Sequence, residues 1–297
     1  MVTTRLINLR HGGEMFWHRD FSSKMQDVRT LQDQIASETA AQLGFEVPLW
    51  QGQTLIERSP VNPTAHELML RAIPAIYRLD KQGFNESWSL LEKAMELDPT
   101  SAACHSWLGH WYHFCVGEGL APNPTDAIQR ADYHARQAIM LDPDDARGYA
   151  IAGHIRGFLH KDARGDLGLQ EKAISLNPSM ALSWCYAGLA NVYMGNHDEG
   201  VRYAEHAISL SPLDSHLFVF EAALAVALFW SRKLEQAELV ARRSHERKPI
   251  FSSGLRVLLA ILGHLKQSKD IVSLRKKYLE LEPKTSVRDL VCAVTHE

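Results

Sequence analysis

The sequence has few features of secreted proteins. It contains only four cysteines, and their spacing forms no recurring pair: Cys104, Cys115, Cys185 and Cys292. Such spacing indicates reduced thiols in a cytosolic protein, because disulfide frameworks use patterned pairs of cysteines. Residues 1–13 contain no apolar segment of the kind found in secretory signals. These absences predict a cytoplasmic location.

Long apolar runs and a strong net charge are also lacking. Of two apolar stretches, residues 217–230 contain Glu221, and residues 255–265 contain Arg256 and His264. Both are too short to cross a bilayer and suit buried helices. The net charge is −3, from 32 basic and 35 acidic residues, which argues against binding of nucleic acids or membranes through bulk charge. We therefore expect neither as a direct partner.

Motifs of common enzyme classes are absent. No GxSxG, Walker or GxGxxG loop follows a predicted strand, so nucleophilic and phosphate-binding mechanisms lack their residues. A zinc site is an open alternative, because one segment is rich in possible ligands that a later histidine could join: Cys104, His105, His110, His113, Cys115 and His154. No CxxC or HExxH motif completes that set. We expect no catalytic residue, metal or cofactor, and a metal-dependent enzyme is the most distant alternative.

A nine-residue motif that ends in proline recurs along the chain. It reads LEKAMELDP, ARQAIMLDP, QEKAISLNP and AEHAISLSP at residues 91–99, 135–143, 170–178 and 204–212, and weaker copies end at Pro249 and Pro283. Successive prolines are 44, 35, 34, 37 and 34 residues apart. Each strong copy carries one apolar stripe of a helix, which the proline then ends. A period near 34 is typical of stacked helix-turn-helix repeats.

A second pattern follows the prolines. Gly109, Gly153 and Gly188 each lie ten residues after a proline. A glycine inside a helix costs about 1 kcal/mol relative to alanine, so three in register predict that a neighbouring helix approaches closely there. Polar residues shortly after the prolines are candidates for capping the next helix: Ser101, Asp145, Ser179 and Asp214.

These residues resemble a tetratricopeptide repeat (TPR) array. The match covers about residues 63–283, and its clearest copy ends at Pro212. The resemblance implies an all-α fold, a TPR-type α-solenoid of about six helical hairpins. Residues 117–126, GEGLAPNPTD, depart from the pattern as an insertion between two helices. We assign residues 61–283 to the array and residues 284–297 to a C-terminal capping segment.

The TPR resemblance also implies a binding groove. In a TPR stack the first helix of each hairpin lines the concave side, where an extended peptide can bind. We predict that the partner-binding groove consists of Ser106, His110, His113, Phe114, Arg147, His154, Phe158, Cys185, Leu189 and Tyr193. The aromatic members could instead pack between hairpins. The histidines could make binding sensitive to pH below about 6.5.

The first 60 residues differ from the repeats. Residues 4–10 and 14–21 flank a His-Gly-Gly turn, which predicts a β-hairpin, and a helix is predicted from about residue 27 to residue 43. A lone two-stranded hairpin is marginally stable in water. We therefore expect it to lie against the solenoid or to belong to a larger sheet.

This N-terminal stretch resembles the end of the TolB-like domain that precedes TPR repeats in bacterial regulators. The matching features are the hairpin, the strand with Phe16, Trp17 and Phe21, and the helix start at Leu31. Such regulators include class III adenylate cyclases and winged-helix transcription regulators. We assign residues 1–60 to a remnant of this domain with a linker.

The sequence therefore predicts a non-enzymatic TPR scaffold with a regulatory role, which binds a peptide or partner segment in its concave groove. The alternative is a sensor or regulatory fragment of an adenylate cyclase or transcriptional regulator whose output domain is missing from this chain.

Overall fold

The N-terminal region contains a β-hairpin. The computed structural model describes residues 2–8, 14–21, scattered residues between 32 and 56, and residues 63–212, 214–266 and 268–283. Strand β1, Val2–Asn8, pairs antiparallel with β2, Glu14–Phe21, as the sequence predicted. The predicted helix at about residues 27–43 and the predicted capping segment at 284–297 lie largely or wholly outside the described residues.

The described chain between residues 65 and 281 is a stack of antiparallel helical hairpins. Its helices are α1 Ala65–Ile76, α2 Lys81–Leu97, α3 Ala102–Gly117, α4 Pro124–Leu141, α5 Ala146–His154, α6 Ala163–Leu176, α7 Ala181–Tyr193, α8 His197–Leu210, α9 Leu217–Trp230, α10 Leu234–Arg247, α11 Ser252–His264 and α12 Ser268–Leu281. A π-helical segment, Ile155–Leu159, extends α5. Consecutive helices pair into six hairpins, which confirms the predicted α-solenoid. None of the helices in the described ranges is both long and apolar enough to cross a membrane.

The repeated prolines end the second helix of each hairpin. Helices α2, α4, α6 and α8 end at Leu97, Leu141, Leu176 and Leu210, each two residues before a proline. Because proline lacks the amide hydrogen that would continue the helical bonding pattern, the chain turns back at these points. The sequence period is therefore the period of the stack.

Two of the four predicted helix caps are correct. The Ser101 hydroxyl accepts a hydrogen bond from the Cys104 amide, and the Asp145 carboxylate accepts one from the Arg147 amide. Ser179 and Asp214 were wrong as caps, because α7 and α9 begin later, after Met180 and His216.

Side chains ahead of those two helices hold a turn instead. The Asn177 side chain accepts from the Ser179 amide, and the Asp214 carboxylate accepts from the His216 amide. Asparagine and aspartate favour such local turns, which delay the start of the helix.

The glycines in register are sites of close helix approach, as predicted. A Cβ atom added at Gly188 would lie 3.1 Å from the Gly200 carbonyl oxygen of α8, and one at Gly109 would lie 3.3 Å from the Ile151 side chain of α5. At Gly153 it would lie 2.5 Å from the Gln170 amide nitrogen. A larger residue at Gly188 would press on the backbone of α8, whereas at Gly109 and Gly153 it would first displace side chains of the neighbouring helices.

The glycines allow a matched test of this packing. We expect Gly188→Ala to lower the free energy of unfolding by about 1–3 kcal/mol, because the added methyl group overpacks the α7–α8 contact. Gly168→Ala should instead raise it by about 1 kcal/mol, because an added Cβ there meets nothing within 4 Å. Urea denaturation of both variants gives the comparison, and equal effects would contradict the assigned role of Gly188.

The insertion after α3 makes the stack close on itself. The Glu118 carboxylate accepts hydrogen bonds from the Ser252 amide at 2.7 Å and from the Ser253 hydroxyl at 2.6 Å. Arg256 of α11 donates a hydrogen bond to the Gly117 carbonyl oxygen. These bonds, which we name the closure contact, join the second hairpin to the sixth across 134 residues of sequence.

A second contact on the inner side joins the first hairpin to the fifth. The rings of Tyr77, which follows α1, and His216, which precedes α9, have centroids 3.5 Å apart. Phe218 and Ala222 of α9 and Phe251 pack in the same apolar cluster as residues of the first two hairpins. Side chains therefore fill the inner side where the first two hairpins meet the fifth.

Candidate binding sites on the inner face

The first helices of five hairpins converge on one pocket. This central pocket, of about 120 Å³, is lined by residues of α3, α5, α7, α9 and α11 and of the segments that adjoin them. Its walls are mainly apolar and include Phe114, Phe158, Leu189 and Val226. Ser253 and Arg256 of the closure contact also line it. The solenoid therefore surrounds a space that several repeats share.

One wall of the central pocket is a column of aromatic rings. The His154 ring is stacked on the Tyr186 ring, with centroids 3.8 Å apart and an interplanar angle of 2°. His113 meets His154 edge to face at 4.5 Å, and Phe158 is stacked on His154 at 5.5 Å. His110 lies 6.0 Å from His113 and its Nε2 is 2.8 Å from the Tyr77 hydroxyl. The register of the repeats brings these rings together, because each comes from the first helix of its hairpin or the segment next to it.

Burial keeps the histidines of this column neutral. It lowers the pKa of His113 to about 3, and it holds the pKa values of His110 and His154 well below the ordinary value. For His110, the nearby Arg147 guanidinium adds to this effect. Burial also lowers the pKa of His216, although the adjacent Asp214 carboxylate opposes it. Burial therefore opposes protonation of these histidines in the folded chain, and a pH dependence of partner binding stays a prediction.

Polar atoms on this wall are left without partners. Within the described residues, Nδ1 of His113, Nδ1 of His154 and the Tyr186 hydroxyl have no hydrogen-bond partner. The three residues are only 8%, 5% and 1% exposed. An unsatisfied buried polar group costs about 1–3 kcal/mol, so such groups usually meet a water molecule or a ligand.

A second pocket opens at the N-terminal ends of α5, α7 and α9. This edge pocket, of about 260 Å³, is lined by Asp145, Arg147, Leu182 and Asp214 among others, and also by Ala40 of the N-terminal region. The Arg147 guanidinium carbon lies 3.6 Å from the centre of the Trp107 ring, a cation–π contact that fixes its position. Arginine and two carboxylates therefore stand around one opening.

The ten predicted groove residues all lie on the first helices or the π-helical segment, but they divide among three environments. The central pocket is lined by His113, Phe114, His154, Phe158, Leu189 and Tyr193. Arg147 lines the edge pocket. The side chains of Ser106, His110 and Cys185 are buried at 0%, 1% and 0% exposure and line neither pocket.

Several lining residues were not predicted from the sequence. Ala222 and Ala223 line the central pocket from α9. Ala222 lies ten residues after Pro212, in the position of the register glycines, so extending the alignment into the fifth repeat could have identified it. Glu118 and Arg256 could not have been found in this way, because they meet through the closure contact.

The histidine and cysteine cluster does not form a candidate metal centre. In the part of the chain that the structure describes, no group of three or more His, Cys, Asp or Glu side chains could hold a metal ion. The described cysteines are buried free thiols. Burial raises the pKa of Cys115 to about 11, so that thiol stays protonated and is a poor nucleophile and ligand at neutral pH.

Comparison with known proteins shows a distant relative and a common fold. No protein-family model matches the sequence. Putative adenylate cyclase 3 of Rhizobium meliloti (strain 1021) is 24% identical to this chain over 157 residues, which cover 50% of this chain and 25% of that protein. The match thus spans a quarter of the relative's length.

Solved structures with a similar fold include TPR proteins. A thermophilic TPR protein of Thermus thermophilus superposes with a TM-score of 0.50 at 16% identity, covering 74% of this chain and all of that one. The type IV pilus biogenesis factor PilW superposes with a TM-score of 0.51 at 14% identity, covering 79% of this chain and all of that one. Human IFIT1, a dimer with m7Gppp-AAAA, superposes with a TM-score of 0.61 at 14% identity, and the match covers 76% of this chain and 53% of that one. This chain has the TPR-type solenoid fold.

Proposed function

We propose that this chain is a non-enzymatic, regulatory interaction module that binds a polypeptide segment of a partner at the edge pocket. The observation that carries the proposal is the convergence of the Arg147 guanidinium, two carboxylates and the partly buried Met180 and Leu182 around one opening. An extended segment has backbone groups that can bond the charged side chains and apolar side chains that can cover the rest.

The proposed binding site lies at the edge of the predicted groove and not in its middle. Most of the predicted residues are buried against one another, whereas Arg147 is partly exposed and lies at the edge of the same face. The carboxylates of Asp145 and Asp214 also favour a polypeptide over a phosphate-rich ligand such as RNA, because like charges repel. A cytoplasmic location is part of the proposal.

The test uses a matched pair of arginine variants. Arg147→Gln removes the charge but keeps a side chain long enough to cover Trp107, and Arg164→Gln makes the same change at an exposed position on α6. In affinity capture from the native cell, we expect the principal partner to be lost with Arg147→Gln and retained with Arg164→Gln. An identical set of partners with wild type and both variants would contradict edge-pocket binding.

Photo-crosslinking locates the partner independently. A benzophenone amino acid in place of Leu182 should crosslink the same partner through a continuous peptide of that protein. The same amino acid in place of Val272, which is 76% exposed on α12, should not. Crosslinks of equal yield from both positions would contradict a specific site.

The second candidate function is regulation of a cyclase or transcription-regulator output domain. The match to putative adenylate cyclase 3 favours it, as does the resemblance of the N-terminal hairpin region to TolB-like domains. Genomic sequence upstream of the first codon tests this candidate. An in-frame cyclase or winged-helix coding region there would support it, and a stop codon directly upstream would contradict a covalent output domain.

A further inference from the structure

The central pocket has the size of a small ligand and is distinct from the edge pocket. An engineered apolar cavity of about 150 Å³ holds benzene, whereas drug-sized ligands need about 300 Å³ or more. At about 120 Å³, the central pocket therefore suits a molecule with one ring. A polypeptide segment does not fit, although a single aromatic group does.

The walls of the pocket favour an aromatic molecule. Phe114, Phe158, Tyr193 and Phe251 line it, together with small or branched side chains of α9, among them Ala223 and Val226. Aromatic rings pack edge to face or offset against such walls with a gain of about 0.5–1.5 kcal/mol beyond burial alone.

Polar atoms without hydrogen-bond partners also belong to residues of the pocket wall. The unpartnered Nδ1 atoms of His113 and His154 and the Tyr186 hydroxyl belong to residues that are more than nine-tenths buried and line the pocket or its aromatic column. A neutral imidazole offers one donor and one acceptor nitrogen, and a tyrosine hydroxyl offers both. These atoms are enclosed by protein, so a ligand hydroxyl group bonds one of them after the side-chain ring that carries it has turned toward the pocket.

One guanidinium and two carboxyl groups lie beside the pocket, and each is bonded within the protein. Arg256 is hydrogen-bonded to the Gly117 carbonyl and lies 3.8 Å from a Glu282 carboxylate oxygen. Glu118 is buried and hydrogen-bonded to both closure serines. Because all three charged groups are already paired or hydrogen-bonded within the protein, an ionised ligand would lose its hydration without gaining a free ion-pair partner.

We propose that the central pocket binds a neutral, single-ring aromatic molecule that carries a hydroxyl group. The ring lies among the phenyl and tyrosyl side chains, and the hydroxyl bonds to the polar atoms of the His113, His154 and Tyr186 wall. Ligand binding there would stabilise the contacts among hairpins two to six, since all five line the pocket.

The experiment measures binding of 4-fluorophenol by ¹⁹F NMR, with 4-fluorotoluene as the matched probe without a hydroxyl group. We expect saturable binding of 4-fluorophenol to the full chain, at least fivefold tighter than that of 4-fluorotoluene. His154→Phe keeps a ring beside Tyr186 but removes a polar atom. It should weaken 4-fluorophenol binding fivefold to tenfold and change 4-fluorotoluene binding less than twofold, since a tenfold change corresponds to about 1.4 kcal/mol.

A pocket-filling variant provides the control for location. Val226→Phe places a phenyl group in the pocket and should abolish binding of both probes, whereas Val272→Phe at the exposed α12 position should leave binding unchanged. Circular dichroism checks folding, and Ala223→Leu serves as a second filling variant. Non-saturable signals with wild type, as for a water-filled pocket, or unchanged binding to a folded filling variant would overturn the proposal.

Discussion

Between pH 7 and pH 5 the free energy of unfolding should fall steeply, because the inner-face histidines take up protons only after the chain unfolds. In the unfolded chain a histidine titrates with a pKa near 6.5. In the folded chain, burial lowers the pKa of His113 to about 3, and those of His110 and His154 are lowered as well. Below pH 6.5 the unfolded state therefore binds more protons than the folded state, and acid favours unfolding.

The size of this effect follows from proton linkage. A histidine that changes from a pKa near 6.5 to about 3 on folding reduces stability by about 2 kcal/mol between pH 7 and pH 5. His110 and His154 act in the same direction. Since domains are usually stable by only 5–15 kcal/mol, this is a large fraction of the total.

Matched histidine variants test the assignment. In His154→Phe the unfolded state can no longer take up a proton at this position, so the loss of stability between pH 7 and pH 5 should be smaller than in wild type. His66→Phe changes a histidine that is exposed on α1. Urea denaturation at pH 7 and pH 5 measures the loss of stability in each variant. An equal reduction of this loss in both variants would show that burial of the inner-face histidines does not cause it.

A second large effect, of opposite sign, is expected from Asp166. This residue of α6 is fully buried, and burial raises the pKa of its carboxyl group to about 7. The Gln170 amide donates to one carboxylate oxygen at 2.9 Å, while the other oxygen has no partner among the described residues. The close approach of Gly157 on the π-helical segment leaves no room for a further group.

Because the folded pKa of Asp166 is raised, its contribution to stability decreases as the pH rises from about 4 to about 7. Each pKa unit corresponds to about 1.4 kcal/mol, so the ionised side chain costs up to about 4 kcal/mol above pH 7. We expect Asp166→Asn to be more stable than wild type by up to this amount at pH 8 and about equal at pH 4. A constant difference across the range would contradict the raised pKa.

The control for this prediction is Asp144→Asn, at an exposed position between α4 and α5, which should leave the pH profile unchanged. The two predictions are also coupled. Between pH 7 and pH 5, protonation of Asp166 partly offsets the effect of the histidines, so the acid loss of stability should be steeper in Asp166→Asn than in wild type.

The helices and their order could be predicted from sequence because their signals are local. Each proline ends a helix by removing an amide hydrogen, and each register glycine marks a neighbour within a few ångströms, as at Gly188. The predicted cap Ser179 was wrong because the Asn177 side chain accepts a hydrogen bond from the Ser179 amide and forms a turn before α7 begins.

The inner face could be predicted only in part, because its shape depends on contacts between distant repeats. The position of His113 on the first helix follows from the repeat, but its burial depends on rings of α5 and α7 that meet it edge to face. Glu118 belongs to an insertion that does not recur in the other repeats, so the repeat pattern could not predict its contacts. Its partners, Ser252 and Ser253, are four hairpins away along the stack.

The closure contact is the feature on which the central pocket depends, and a disulfide tests it most directly. With Glu118→Cys and Ser252→Cys in one chain, mild oxidation should link the two positions within the folded monomer, which mass spectrometry of a digest detects as one joined peptide pair. Glu118→Cys with Ser179→Cys is the control and should give no link. Failure of the first pair to link in the folded monomer, or equal linking of both pairs, would contradict a solenoid that closes on its inner face.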